Sequence, residues 1–239
     1  MKNSTILATA ILAGVVAQPA YAQDADPDFF NGVYVGGSFG LDGLDDEAGE
    51  GIVFDTDGDG EYGDTVRTTT GANAFGPGFC NGIANGPRAA DGCSDDKSRF
   101  GYGVRIGFDQ RIGDGPIVAG LLVEGAMSDS EEYSNGFSTT PASYTFKREL
   151  DKSVALRGRL GVSPGSGRGL IYVTGGLAYA DIDHDFITTN GANSFTMTDD
   201  DDWQLGGQIG AGGELYLFDN VSLGLEYLYS RYDDNDAYV

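Results

Sequence analysis

A run of acidic residues in the first quarter of the chain has the spacing of a metal-binding loop. Asp55, Asp57 and Asp59 alternate with small residues, and Glu61 follows two positions later. This is the front half of a D-x-D-x-D-G calcium loop, in which short carboxylates converge on the ion and glycine permits a sharp turn. The bidentate acid expected at the twelfth position is missing, since Val66 stands there. The four acids therefore predict either a calcium site, the one cofactor that the sequence suggests, or a solvated acidic loop.

The single histidine is the natural candidate for acid–base catalysis near neutral pH. His184 is flanked by Asp183 and Asp185, and the nearest serine in the sequence is Ser194. A hydrolase needs a histidine that activates a serine or a water and is itself held by a third group. No His-x-Ser arrangement occurs here. We interpret His184 as a solvated residue and predict no catalytic residue.

The first 22 residues have the composition of a secretory leader. Lys2 precedes an uncharged run over 6–17, and Ala20-Tyr21-Ala22 follows it. The apolar run is too short to span a bilayer as a helix, and the A-x-A ending is typical of a cleavage site. We predict removal of the leader after Ala22 and a mature chain that begins at Gln23.

The mature chain is strongly acidic and contains both cysteines. It has 217 residues, the 239 of the full chain less the 22 of the leader, and loss of Lys2 leaves 13 basic against 37 acidic side chains, a net charge of −24. Nucleic acid is a poor partner for such a charge, so a nucleic-acid-binding function is excluded. Thiols of exported proteins are normally oxidised, and we predict a disulfide between Cys80 and Cys93.

Large apolar side chains alternate with small or charged ones in several segments. Every second residue from Phe100 to Phe108 is large and apolar, with Arg105 and glycines between them, and similar patterns recur over 154–162 and 221–229. Successive side chains of a strand point to opposite faces, so each of these strands has one apolar and one small or charged face. Repeated in strand after strand, this pattern predicts an all-β, transmembrane, antiparallel up-and-down β-barrel with lipid outside and a polar interior.

Period-two alternation and the intervening turn residues predict seven strands. We expect them at 31–40, 98–111, 117–128, 152–163, 169–182, 203–218 and 221–232. Short turns at 113–116, 163–168 and 219–220 alternate with long acidic segments at 41–97, 129–151 and 183–202. This wiring is typical of outer-membrane barrels, whose short turns are periplasmic and whose long loops are extracellular. The predicted organisation is a leader (1–22), a periplasmic segment (23–30) and a barrel domain (31–239).

Seven strands leave a barrel with an open edge. Unpaired backbone amides facing lipid each cost several kcal/mol, roughly, and single-chain bacterial barrels have even strand numbers. We therefore predict an eight-stranded barrel whose last strand is missing or truncated in this chain, with 237–239 as its first residues. The alternatives are that part of 51–70 forms a further strand or that two chains complete one another.

Three segments resemble the small outer-membrane β-barrel family of proteobacteria, the porin-like group that includes opacity proteins and the barrel of outer membrane protein A. They are Asn31-Gly32-Val33-Tyr34-Val35-Gly36-Gly37, the glycine pattern of 101–109, and Glu226-Tyr227-Leu228-Tyr229. The resemblance implies location in the outer membrane of a Gram-negative bacterium, contact with its lipid and lipopolysaccharide, and insertion by the barrel-assembly machinery. Members usually end in an aromatic residue, whereas Val239 stands here. Such motifs imply architecture and little chemistry.

Ionisable side chains lie on the face opposite the apolar stripes. The predicted lumenal charge network consists of Arg105, Glu124, Arg157, Arg159, Glu214 and Glu226. The interior of an eight-stranded barrel is only wide enough for side chains to fill it, and a buried arginine needs a carboxylate partner. We interpret these residues as a plugged, stabilising core. The alternative is a narrow, gated pore lined by the same charges.

The predicted function is structural: an integral outer-membrane barrel that anchors acidic extracellular loops and has no catalytic activity. We predict no particular extracellular ligand for the loops. The first alternative is a channel for small solutes, and the second is an enzyme that acts on lipid A or phospholipid. A soluble lipocalin-like barrel would expose an apolar stripe to water on every strand, which makes it the weakest interpretation.

Overall fold

The computed structural model describes residues 5–17, 29–44, 52–96, 99–198, 203–233 and 238–239. Its strands are β1 (Thr5–Ala17), β2 (Gly32–Leu44), β3 (Gly78–Asn81), β4 (Ile83–Ala84), β5 (Cys93–Ser94), β6 (Arg99–Arg111), β7 (Ile117–Ser138), β8 (Ala142–Val162), β9 (Gly169–Thr188), β10 (Gln204–Phe218) and β11 (Val221–Asp233). A short 3-10 helix, Ala89–Asp91, precedes β5. Eight of the strands pair antiparallel in a closed ring, in the order β1, β2, β6, β7, β8, β9, β10, β11 and back to β1. The predicted all-β barrel is confirmed.

The faces of the ring follow the alternation in the sequence. In β6, Phe100 is 75% exposed and Val104 70%, whereas Arg105 and Asp109 are buried. An apolar surface that surrounds a closed sheet is stable only against lipid, because water would meet an apolar stripe on every strand. No helix in the described ranges is long and apolar enough to cross a bilayer.

Three strands continue beyond the membrane-facing wall. β7, β8 and β9 extend past their predicted ends at 128, 152 and 182, so much of the segment predicted as a loop at 129–151 is a hairpin. The register shifts between Met127 and Ser130 in β7, and between Leu150 and Lys152 in β8, at one level of the barrel. Bulges of this kind bend and twist a strand. Here they separate the wall from a part that we call the head: residues 52–96, 130–150 and 181–198.

A strand occupies the eighth position in the wall, which we expected to be empty or incomplete. We expected an open edge between the first and last strands of the mature chain, yet β1 lies there. It pairs with β11 from Thr5↔Asp233 to Ala17↔Val221, and with β2 from Ala8↔Leu44 to Ala17↔Val35. The apolar run of the predicted leader is too short to cross a bilayer as a helix, but a tilted strand needs only about 9–11 residues to cross hydrocarbon.

β1 runs from the head end of the barrel to the short-turn end, the direction that a strand following β11 would take. Removal of the leader stays a prediction, and the cleavage position after Ala22 lies outside the described residues. Of the predicted start of the eighth strand, Tyr238 forms an isolated bridge with Thr198, and residue 237 is not among the described residues.

Candidate functional site

The lumen contains two layers of ion pairs, and the layer nearer the head centres on Arg157. Its Nη1 donates to Glu226 Oε1 at 2.9 Å, and its Nη2 donates to Glu124 Oε1 at 2.8 Å. Arg105 Nε lies 2.8 Å from Glu124 Oε2, and its Nη1 lies 3.7 Å from Glu226 Oε2. Tyr172 donates its hydroxyl to Glu226 Oε2 at 2.8 Å. Two guanidinium groups and two carboxylates from four strands thus meet inside the barrel.

The second layer, nearer the short turns, centres on Arg159. Its Nε donates to Asp109 Oδ1 at 2.7 Å and its Nη1 to Glu214 Oε2 at 2.9 Å, while Nη2 also contacts Asp109. Ser222 donates to the other oxygen of Glu214 at 2.6 Å. The guanidinium lies between the rings of Tyr34 and Tyr172, 4.7 and 5.2 Å from their centroids. Such contacts compensate for the loss of water around the charge.

Glycines make room for these large side chains in a narrow barrel. A Cβ at Gly120 would lie 1.9 Å from Asp109 Oδ1, and one at Gly107 would lie 2.4 Å from the Tyr34 ring. Real Cβ atoms do not approach other atoms so closely, so any side chain at these two positions would displace the network. Part of the chain's high glycine content is therefore a requirement of the filled interior.

An aromatic cap closes the short-turn end of the lumen. Phe29 and Phe30, just before β2, are buried with Tyr216, Leu170 and other side chains of the barrel interior. Both rings lie 4.8 Å from that of Tyr216, and Arg111 donates to the backbone oxygen of Phe29. Phe30 has a φ of 59°, an uncommon value for a residue with a side chain, and its ring is fully buried. Phe29 and Phe30, the last two residues of the predicted periplasmic segment, thus fill the short-turn end of the lumen.

The structure brings the six lumenal residues proposed from the sequence into these two layers, with side chains 0–7% exposed. Asp109, Tyr172 and Ser222 complete the layers. The alternation in the sequence predicts which residues of each strand face inwards. It does not predict which residues pair, because the partners lie on strands far apart in the sequence. The Phe29–Phe30 cap was missed because it lies outside any alternating run.

The loop of the head, residues 52–96, is attached to the extended strand β7. β3 pairs with β7 from Gly78↔Phe137 to Asn81↔Ser134, and a disulfide joins Cys80 of β3 to Cys93 of β5. Outside this ladder, Gly82 N donates to the Tyr133 carbonyl at 2.6 Å. The disulfide and these backbone bonds hold the two ends of the Cys-closed loop to one strand.

Aromatic rings connect the loop to the rest of the head. The centroids of contacting rings lie 4.5–6.2 Å apart, which is ordinary aromatic packing. Phe54 and Phe79 each contact Phe75, and the contacts continue through Tyr144, Phe195, Phe186 and Phe146. The rings therefore link the loop 52–96 to β8, to β9 and to the segment that follows β9.

A cluster of charges lies where the head joins the wall. Glu131 accepts from Arg99 Nη2 at 2.7 Å and lies 3.1 Å from Lys147 Nζ. Burial favours the neutral form of the Glu131 carboxyl, but the hydrogen bonds from Lys147 and Arg99 outweigh it and hold its pKa below the ordinary value.

The acidic loop is compact, but its carboxylates already accept hydrogen bonds. Asp55 accepts from the backbone N–H groups of Gly58 and Gly60 at 2.7 and 2.9 Å, and these bonds, that of Gly60 foremost, lower the pKa of Asp55. Carboxylate oxygens of Asp55, Asp57 and Asp64 lie within 4.8 Å of one another. Asp64 thus joins the group, whereas Asp59 and Glu61 do not belong to it.

Asp59 accepts from the backbone N–H of Glu61 at 2.8 Å. The loop thus satisfies its own backbone donors, and exposed acidic groups of this kind are common in proteins without an ion. Calcium binding by Asp55, Asp57, Asp59 and Glu61 stays a prediction.

His184 lies in β9, not in a loop, and its register partner in β8 is Arg148. On either side of this pair, Asp183 is opposite Glu149 and Asp185 is opposite Lys147. The histidine is half-buried in a ribbon of charged residues.

The lumen and wall agree with the similarity to known proteins. The profile of the outer membrane protein beta-barrel domain family matches residues 8–239. The chain belongs to this family. It is an integral outer-membrane β-barrel. No curated protein matches the chain. A solved structure of Salmonella typhi OmpF in complex with daunomycin aligns with 95% of this chain and 98% of its own, at 10% identity and a TM-score of 0.10.

Proposed function

We propose that this outer-membrane barrel is a non-catalytic, non-conducting anchor that displays its acidic head at the cell surface. Lipid and lipopolysaccharide surround its wall, and the barrel-assembly machinery inserts it. The long connections lie at one end of the barrel and the short turns at the other, and in outer-membrane barrels the long side faces outwards. The function is therefore carried by the head, and the wall holds it in place.

The observation that carries this proposal is the filled lumen. Arg157 is completely buried and Arg159 nearly so, each held by carboxylates from different strands. Below them, Phe29 and Phe30 cover the short-turn mouth. A solute would have to break both layers and displace the cap, and each buried ion pair resists the loss of one partner by several kcal/mol, roughly.

Conductance in planar bilayers tests the absence of a channel. We expect the purified protein to give no steady openings under conditions in which an established porin does. Steady openings of uniform size would favour the narrow channel instead. The non-catalytic part of the proposal is tested by His184→Ala, which should leave lipid A and phospholipid composition of the outer membrane unchanged.

Trypsin added to intact cells tests display of the head. Arg67 and Arg88 are exposed in the head, whereas Arg168 lies in the turn between β8 and β9 at the opposite end. We expect cleavage after Arg67 or Arg88 without lysis, and cleavage after Arg168 only once the outer membrane is permeabilised. A cut after Arg88 separates the fragments only after reduction, because the Cys80–Cys93 bond spans it. The reverse pattern would contradict the proposed orientation.

A further inference from the structure

A cavity lies inside the barrel between the Arg157 layer and the level at which the head begins. Its walls come from β2, β6, β7, β8, β10 and β11, and they extend from Glu124, in the layer, to Ser128 and Leu150, beside the two register shifts. Its volume is about 50 Å³, whereas one water molecule needs roughly 10–15 Å³. The cavity therefore has room for a small ion together with a few waters.

Oxygen atoms line this cavity, and two of them are buried acceptors. In the described part of the chain, Asp42 Oδ1 and Gln208 Oε1 have no hydrogen-bond partner. The hydroxyl-bearing side chains of Ser38, Ser230 and Tyr232 also lie on the walls. Buried acceptors without a donor are costly and rare in folded proteins, so these two oxygens indicate that the cavity takes a guest.

Asp42 gives this cavity a net negative charge. The Arg157 layer beneath it is neutral, because its two arginines face two glutamates. The Asp42 carboxyl interacts with the Ser128 hydroxyl and is repelled by Glu124. Among the described residues it forms no ion pair with a lysine or arginine.

The nearest alternative cation is already occupied. Lys152 also lines the cavity, but its side chain is partly exposed and its ammonium group is ion-paired with Asp151 and Asp181. A carboxylate oxygen that is buried without a cation is unfavourable, because the protein interior stabilises a charge less well than water does. A mobile cation in the cavity relieves this cost.

The position of the carboxyl is fixed by the neighbouring strand. A Cβ at Gly101 of β6 would overlap Asp42 Oδ2, so any other residue there would displace the carboxyl. Asp42 can therefore lie on the lumenal side only because the chain has a glycine beside it. The glycine pattern of 101–109 thus makes room for this carboxylate as well as for the side chains of the two ion-pair layers.

We propose that this cavity is a binding site for one small monovalent cation, sodium, held by Asp42 and Gln208. A carboxylate, an amide oxygen and hydroxyls form an oxygen-only ligand set, which suits hard cations. One carboxylate without a partner requires a single positive charge, and the volume of the cavity excludes large organic cations. The bound ion reduces the repulsion between Asp42 and Glu124 and joins β2 to β10 just below the head.

The test measures the stability of the full-length protein in zwitterionic detergent micelles at about pH 8, where carboxyl groups are ordinarily ionised. Sodium chloride replaces tetramethylammonium chloride at constant ionic strength, so screening of the acidic head does not change. An ion that binds only the folded state multiplies the folded-to-unfolded ratio by one plus the ratio of its concentration to its Kd. At a fixed urea concentration we therefore expect this ratio to rise about tenfold when sodium reaches roughly ten times its Kd.

Neutral variants locate the effect. Asp42→Asn keeps the shape of the side chain and should abolish the sodium dependence. In tetramethylammonium it should be more stable than the wild type, since its repulsion with Glu124 is gone. Asp57→Asn makes the same change in the head and should keep the full sodium dependence. Gln208→Glu adds a carboxylate to the cavity and should lower the Kd for sodium several-fold.

Equal stability of the wild type in sodium and in tetramethylammonium would overturn the proposal, because Asp42 would then be protonated or the cavity would hold water alone. The same sodium dependence in Asp42→Asn as in the wild type would also overturn it, since the ion would bind elsewhere. Loss of the dependence in Asp57→Asn would assign the ion to the acidic loop of the head. An unchanged Kd in Gln208→Glu would contradict the assigned ligand on β10.

Discussion

In the two lumenal layers, three arginines face four carboxylates, and every one of these side chains is at most 8% exposed. In residues 52–96 of the head, eight acidic side chains accompany two basic ones, and most are exposed. The lumen is close to neutral because a buried charge without a partner is costly, whereas water and ions stabilise the excess charge of the head. The head, with fourteen acidic and four basic side chains, contributes −10 to the net charge of −23, whereas the two lumenal layers contribute −1.

The largest effect is expected from loss of β1, and it decides between the strand seen in the structure and the predicted removal of the leader. A chain that begins at Gln23 loses the ladders to both β2 and β11, which leaves two open edges in lipid. Refolded in detergent, so that export plays no part, this variant should give no heat-modifiable band in unboiled electrophoresis if the wall requires β1, and cleavage after Ala22 would then be incompatible with the barrel. Replacement of residues 55–64 in the head by a Gly/Ser linker is the control, and it should leave the band intact. A heat-modifiable band from the shortened chain would show that another segment fills this place.

Removal of one lumenal arginine should cost less than loss of a strand but more than any change in the head. Arg157→Leu leaves Glu226 without its nearest cation and Glu124 with Arg105 alone, and we expect a loss of about 3–5 kcal/mol in the free energy of unfolding. Urea titration followed by the fluorescence of Trp203, the single tryptophan, measures it.

Arg88→Leu, an exposed position in the head, is the control for this measurement and should change stability by less than about 0.5 kcal/mol. Addition of Glu226→Gln to Arg157→Leu should recover part of the loss, since it removes one uncompensated charge. Equal effects of the two arginine substitutions would contradict the structural role of the lumenal layers.

Loss of the disulfide should weaken the head and leave the wall unchanged. Cys80→Ser with Cys93→Ser removes a constraint of about 3 kcal/mol on the unfolded loop. We expect faster trypsin cleavage after Arg67 and Arg88, while the heat-modifiable band persists. If the double variant also lost that band, the head and the wall would form one cooperative unit.

The smallest effect is a pH dependence at the junction of head and wall. The folded pKa of Glu131 is lowered, so its contribution to stability is full above the unfolded value of about 4.3 and is lost as the pH falls through the folded value. Proteolysis of the head, measured with an acid-active protease, should therefore accelerate below about pH 4. Glu131→Gln should flatten this dependence, and an unchanged profile in that variant would assign the effect to other groups.

The sequence predicts the wall well because lipid leaves few choices. Residues such as Val104 and Arg105 alternate wherever a strand crosses the membrane, and an eight-stranded interior forces the arginines to meet carboxylates. The head was predicted poorly, since β7 and β8 continue through 130–150, where the buried side chains include the polar Ser130, Glu132 and Asn135, so no apolar stripe marks the strands. The partner of each lumenal charge also depends on closure of the ring, which local patterning does not encode.

The pairing of β1 with β11 joins Thr5 to Asp233, residues 228 positions apart in the sequence. The other adjacent wall strands follow one another along the chain, with only the short strands β3–β5 between β2 and β6, so this pairing has by far the longest loop to close. In a chain that keeps the leader, we expect this pairing to be the final and slowest event of assembly. Until then the partly formed sheet exposes two unpaired edges. Such an intermediate is prone to aggregation and must be bound by chaperones or degraded by proteases.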